Sequence, residues 1–97
     1  MAHTPQTERP HPASIGGVQK IYRFANGYGA SVVQFRGSYG FEDGLWELAV
    51  IKFIDSKTDH FRITYETPLT TDVIGHLSLD EVESTLDQIA ALAEVAA

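Results

Sequence analysis

Cysteine is absent from the 97 residues. Disulfide scaffolds, thiol nucleophiles and cysteine-based zinc or iron–sulfur sites are thereby excluded. Long apolar runs are missing as well. Stretches such as Leu48-Ala49-Val50-Ile51 fall far short of the roughly 20 residues of a membrane helix, so no membrane-spanning segment is expected. No charged segment followed by an apolar one opens the sequence, and a secretory signal is not expected. Basic charge is scarce, with seven Lys+Arg against thirteen Asp+Glu and a net charge of −6. Affinity for nucleic acid comes mainly from neutralising phosphates, so no nucleic-acid partner is expected. The acidity is too sparse for a mimic of DNA. Gly-x-Ser-x-Gly, a Walker lysine loop and Gly-x-Gly-x-x-Gly are all missing. His60 and His76 lack a second ligand at strand or helix spacing, and His3 and His11 stand in a tail-like segment. No metal and no cofactor are implied.

What is present is an ordinary globular balance, 43% apolar and 21% charged, in a length that fits one domain. Residues 1–17 carry Pro5, Pro10, Pro12, Gly16 and Gly17 with little apolar content. They read as a flexible Pro-rich tail, because such a segment cannot repay its ordering entropy. Residues 18–97 read as a single α+β domain.

Four strand-like runs follow: Lys20 to Phe24, Ala30 to Phe35, Leu45 to Ile54 and His60 to Thr67. Asn26-Gly27 between the first two is a strong hairpin signal, since both residue types accept positive φ. The fourth run alternates cleanly, with Phe61, Ile63 and Tyr65 on one face and Arg62, Thr64 and Glu66 on the other. Pro68 ends it. The following connector carries Leu69, Val73, Ile74 and Leu77, which is apolar for a loop and points to a crossover packed against the sheet.

The last element is a helix. Ser78-Leu79-Asp80-Glu81 is a capping box, and Leu77 and Val82 occupy the staple positions around it. Leu79, Val82, Leu86, Ile89 and Ala93 form one apolar stripe, which extends the helix to about Val95. The expected fold is α+β: a four-stranded antiparallel meander sheet with one C-terminal helix packed on one face, ββββα.

The third strand is apolar on both faces. Trp46, Leu48, Val50 and Ile54 point one way, and Leu45, Ala49, Ile51 and Phe53 the other. One helix of about 10 Å diameter cannot cover both. A second copy of the chain is the simplest cover, which makes a homodimer the expected assembly. Curling of the sheet within one chain is the alternative.

Among the carboxylates Glu42, Asp43, Glu47, Glu66 and Asp72, Glu47 stands out by lying inside the most apolar strand. It could serve as an acid or base with a raised pKa, or pair with Arg62, Lys52 or Arg23. An enzyme would need Glu47 or Asp72 to converge with His76, and no spacing argues for that.

The pattern Tyr22-x-Phe24-x-Asn26-Gly27-Tyr28-Gly29-Ala30-Ser31-Val32-Val33, then Ser38-Tyr39-Gly40, then Gly44-Leu45-Trp46-Glu47-Leu48-Ala49-Val50, then Tyr65-x-Thr67-Pro68-Leu69-Thr70-x-Asp72-Val73-Ile74-Gly75 resembles a family of small uncharacterised bacteriophage- and prophage-encoded proteins. The resemblance covers about residues 20–92. It implies a phage gene product in the cytoplasm of an infected bacterium and supplies no catalytic residues. The expected function is that of a non-enzymatic phage accessory protein, self-associating and binding a host or phage protein. Trp46, Leu48, Val50 and Tyr39 are the expected interface, with Trp46 as aromatic anchor. Two alternatives stand beside it. One is a nucleotide-like ligand site on the glycine–tyrosine turns, at Tyr28, Gly29 and Gly40. The other is a structural component of the virion.

Overall fold

The computed structural model describes residues 3–10, 17–35, 41–55, 57, 60–64 and 74–92. Among these are six strands, a short 3₁₀ turn at Phe41–Asp43 and one helix. The strands are β1 (Thr7–Pro10), β2 (Val18–Arg23), β3 (Tyr28–Gln34), β4 (Trp46–Phe53), β5 (Phe61–Ile63) and β6 (Ile74–Leu77). The helix α1 spans Leu79–Ala90. The architecture is α+β: one antiparallel sheet with a C-terminal helix on one face.

Two strands lie where none was expected. β1 falls inside the segment read as a tail, and pairs with β2 from Thr7↔Ile21 to Pro10↔Val18. It is exposed on both faces, so it carries no apolar alternation. Its charged residues and Pro10 suit a sheet edge, where they oppose pairing with another chain. The segment before it is tied down too. His3 donates its backbone N–H to Glu83 at 3.0 Å, and its imidazole Nε2 lies 2.6 Å from Asp87 Oδ1.

β6 falls inside the segment read as a crossover. β5 and β6 both pair with β4, along the edge that β3 leaves open. Thr64 N–H reaches Val50 O, and Ile74 stands opposite Leu48. The two strands are therefore successive pieces of one edge, and residues 65–73 intervene between them. Opposite Glu47, β6 carries two residues, Gly75 and His76. This is a bulge, and His76 takes φ 59° in it. Imidazole is one of the few side chains found there with any frequency.

Between β2 and β3 the hairpin forms, but by a different device from a two-residue Asn-Gly turn. Gly27 N–H donates to Phe24 O at 3.1 Å, and Phe24 N–H to Tyr28 O at 2.9 Å. Gly27 has φ 88°, whereas Asn26 is not among the positive-φ residues. The loop is Ala25-Asn26-Gly27, a turn followed by a left-handed glycine. Asn26 is thereby freed for another task. Its side-chain amide reaches the C-terminal end of α1 and donates to Ile89 O at 2.8 Å and Leu92 O at 3.2 Å. Its Oδ1 accepts from Tyr28 N–H at 3.0 Å.

The helix starts as its capping box directs: Ser78 Oγ accepts from Glu81 N–H, and Glu81 Oε1 accepts from Ser78 N–H. Hydrogen bonds to the carboxyl from the Ser78 backbone N–H first, and from its side chain second, favour the ionised form and hold Glu81 below its ordinary value. Val82, Leu86 and Ile89 are buried against β3, β4 and β6. Leu79 is 59% exposed and does not join the stripe. α1 gives way at the C-cap residue Ala91, so it is shorter than the apolar repeat predicts; Ala93 and Val95 lie outside the described residues.

The principal core lies between the helix and one sheet face, with Tyr22, Ala30, Val32, Leu48, Val50, Leu77, Val82, Leu86 and Ile89. Burial of Tyr22, with Glu83 and Glu8 adding to it, pushes its phenol up. The neutral phenol is thus the form the fold favours. That contribution is complete below the ordinary phenol value near 10 and is lost as pH rises through the raised one. Denaturation midpoints should hold up to about pH 10 and fall beyond it. An ultraviolet titration should show Tyr22 ionising above the ordinary phenol value, a step that Tyr22→Phe removes.

Candidate functional site

Strand register decides which face each side chain serves. Val32↔Leu48 and Ala30↔Val50 lie beneath the helix, and so does Trp46, which is packed against the same cluster. Lys20 Nζ sits 4.8 Å from the centre of the Trp46 ring. The residues expected to form the interface are thus turned the other way. Leu48 and Val50 are core, and Trp46 is half-buried at the margin of that core. The fourth, Tyr39, lies outside the described residues, as do Gly40 and Asp72.

The opposite face also differs from expectation. Ile21, Ile51 and Phe53 form a second cluster, closed by Phe61. Arg23 lies over the Phe53 ring at 4.2 Å and donates to Asp55 O. Ile51 is fully buried, and Phe53 is 4% exposed, within a single chain. The two-sided strand therefore needs no second copy to cover these residues. The physical reason is that long side chains at the sheet margin, with a cationic stem among them, close over the row.

The glycine–tyrosine turn is likewise occupied by the protein itself. A Cβ on Gly29 would fall on the Tyr22 carbonyl and come within 2.8 Å of the Phe53 ring. Tyr28 packs against the principal core. Gly29 is there because two backbones approach closely. Gly29→Ala should cost about 2–3 kcal/mol or more, because the atom it strikes is backbone and cannot swing aside. Urea denaturation measures this.

What the helix-free face does offer is a groove of about 250 Å³ at the other end of the same strands. It is lined by Gln19, Ser31, Val33, Phe35, Glu47, Ala49 and Ile63. Register assembles it: Gln19↔Val33↔Glu47 form one row across β2, β3 and β4, and Ser31↔Ala49 sit in the next. Val33 and Ala49 are mostly buried in its floor, whereas Ile63 is 46% exposed.

The polar groups of the groove are ordered. Arg9 Nε donates to Gln19 Oε1 at 2.9 Å, and Gln19 Nε2 donates to Ser31 Oγ at 3.0 Å. Arginine can only donate, which fixes the amide orientation and leaves the Ser31 hydroxyl proton for another acceptor. Glu47 is half-buried and stands opposite Val33. Among the described residues it makes no hydrogen bond and no ion pair. Lys52 and Arg62 pair with each other in register at a different part of β4, and Arg23 belongs to the Phe53 cluster.

Sequence reasoning flagged Glu47 because a carboxylate is out of place in an apolar strand. It missed Gln19 and Ser31, whose meeting depends on the β2–β3 register alone. His76 lies in the bulge opposite Glu47, with its side chain exposed.

Among the described residues, no group of three or more histidine and acidic side chains is placed to hold a metal ion. No described helix is long and apolar enough to cross a membrane. The chain matches no family model, no curated protein and no solved structure.

Proposed function

We propose that this protein is a non-enzymatic binding domain that acts by protein–protein interaction, with the groove on the helix-free sheet face as its working surface. The observation that carries the reading is the groove's composition. An apolar lining of Val33, Phe35, Ala49 and Ile63 surrounds a hydroxyl and a carboxylate that each retain bonding capacity. Recognition sites have this character: mostly apolar surface with a few placed polar groups that fix orientation. The resemblance to small phage-encoded proteins supplies the setting, that of an accessory protein whose partner is a host or phage protein.

A partner-independent test is selection of random peptides on the immobilised protein, with Ile63→Lys as the comparison. Ile63 is at the groove rim on β5 and is exposed, so lysine there should leave the fold intact. Peptides enriched on the wild type should be lost on the variant. A peptide set that binds both equally would place the working surface elsewhere.

A further inference from the structure

We infer that the occupant of this groove is an extended apolar segment of a partner protein that carries a lysine or arginine, with its cation against Glu47. The inference rests on the groove being the working surface, and adds the chemistry of what enters it.

Among the described residues lining the groove, Glu47 is the one that ionises. It is half-buried and unpaired among the described residues. A carboxylate in that position has lost part of its hydration without gaining a partner, and an incoming cation restores the balance. Acidic and phosphorylated segments meet the opposite condition. The net charge of −6 adds a long-range attraction for basic segments.

The second polar group fixes how the segment lies. Because Gln19 donates to Ser31 Oγ, the Ser31 hydroxyl is free to donate into the groove, where a peptide carbonyl is the natural acceptor. Ser31 pairs with Ala49, so Glu47 is its diagonal neighbour across β3 and β4. Such diagonal positions are about 7–8 Å apart. Two residues of extended peptide advance about 6.4–6.8 Å. A carbonyl on Ser31 and a basic side chain on Glu47 can therefore come from residues two apart. The apolar side chains two residues from the cation, on the same face of the segment, then meet Val33, Phe35, Ala49 and Ile63.

The test is a titration followed by amide NMR, using three end-capped hexapeptides, Val-Ser-Xaa-Ser-Val-Ser, in which Xaa is lysine, serine or glutamate, so that both valines share its face. The lysine peptide should shift the amides of Ser31, Val33, Glu47 and Ala49 in a saturable way, and the glutamate peptide should not. Glu47→Gln should weaken the lysine peptide by about ten- to hundredfold and leave the serine peptide unchanged. Equal binding of the lysine and serine peptides, unaltered in Glu47→Gln, would overturn the cation inference and leave the groove reading standing. No response at the groove amides to any peptide would overturn both. Shifts at those amides that grow with protein concentration alone would identify a second copy of the chain as the occupant, and would overturn the inference of a basic partner.

Discussion

Asn26→Ala should cost about 2–4 kcal/mol, and Asn26→Asp should cost more although it preserves shape. The Asn26 amide is buried and bonds the carbonyls of Ile89 and Leu92, while its oxygen receives the Tyr28 N–H. Ile89 ends the helix, where its carbonyl also accepts from Leu92 N–H at 3.1 Å, and Leu92 lies just past the C-cap. Alanine leaves the Tyr28 N–H and the Leu92 carbonyl without these bonds, at about 1–3 kcal/mol each, while Ile89 O keeps its bond from Leu92 N–H. Aspartate is worse. It removes the donor and sets a negative charge beside carbonyl oxygens at the negative end of the helix dipole. One side chain thus joins the β2–β3 hairpin to the far end of the chain. Its loss should lower the denaturation midpoint and speed amide exchange over the last turn of the helix. An Asn26→Asp variant as stable as the wild type would show that the amide donor is dispensable.

Leu48→Ala is expected to cost about 3–5 kcal/mol. Leu48 has no exposed surface and lies between Val32 and β6, in the cluster beneath α1. Removing a buried leucine side chain combines lost transfer energy with the cavity left behind. A domain of this size has only about 5–10 kcal/mol in total, so the variant should sit near the edge of unfolding in urea. The comparison with Ile63→Lys is informative, because that exposed site should change stability by about 0.5 kcal/mol or less. Were Leu48 the anchor of a docking face, the two substitutions would rank the other way. A stability of Leu48→Ala close to the wild type would place Leu48 outside the core.

The four expected strands and the helix start were legible because their signals are local. Ser78 and Glu81 are three residues apart and bond each other, with little help from the rest of the molecule. Leu77 and Val82 then meet in the core. The alternation in β3 and β4 is equally local. β1 was illegible for the opposite reason. An edge strand exposed on both faces has no apolar rhythm, and only its pairing with β2 defines it. β6 was masked by its Gly75-His76 bulge, which breaks the two-residue period. The groove was half legible. Glu47 announced itself by its surroundings, whereas Gln19 and Ser31 are ordinary polar residues until the hairpin register brings them within 3.0 Å.

The sequence by itself determined four of the strands, the helix with its cap and the presence of two apolar rows on β4. A cap or a period is decided by neighbours a few bonds away, and no distant contact is needed to read it. The tertiary structure alone decided which row the helix covers, since both rows of β4 are apolar and the pattern has no preferred side. It also decided that Ile51 and Phe53 are closed off within one chain, and that Asn26 ends the helix rather than merely turning the hairpin. Glu47 was left facing a groove by the same choice of faces. Each of these depends on residues brought together from distant parts of the chain, where the register of one strand on the next fixes every contact that follows.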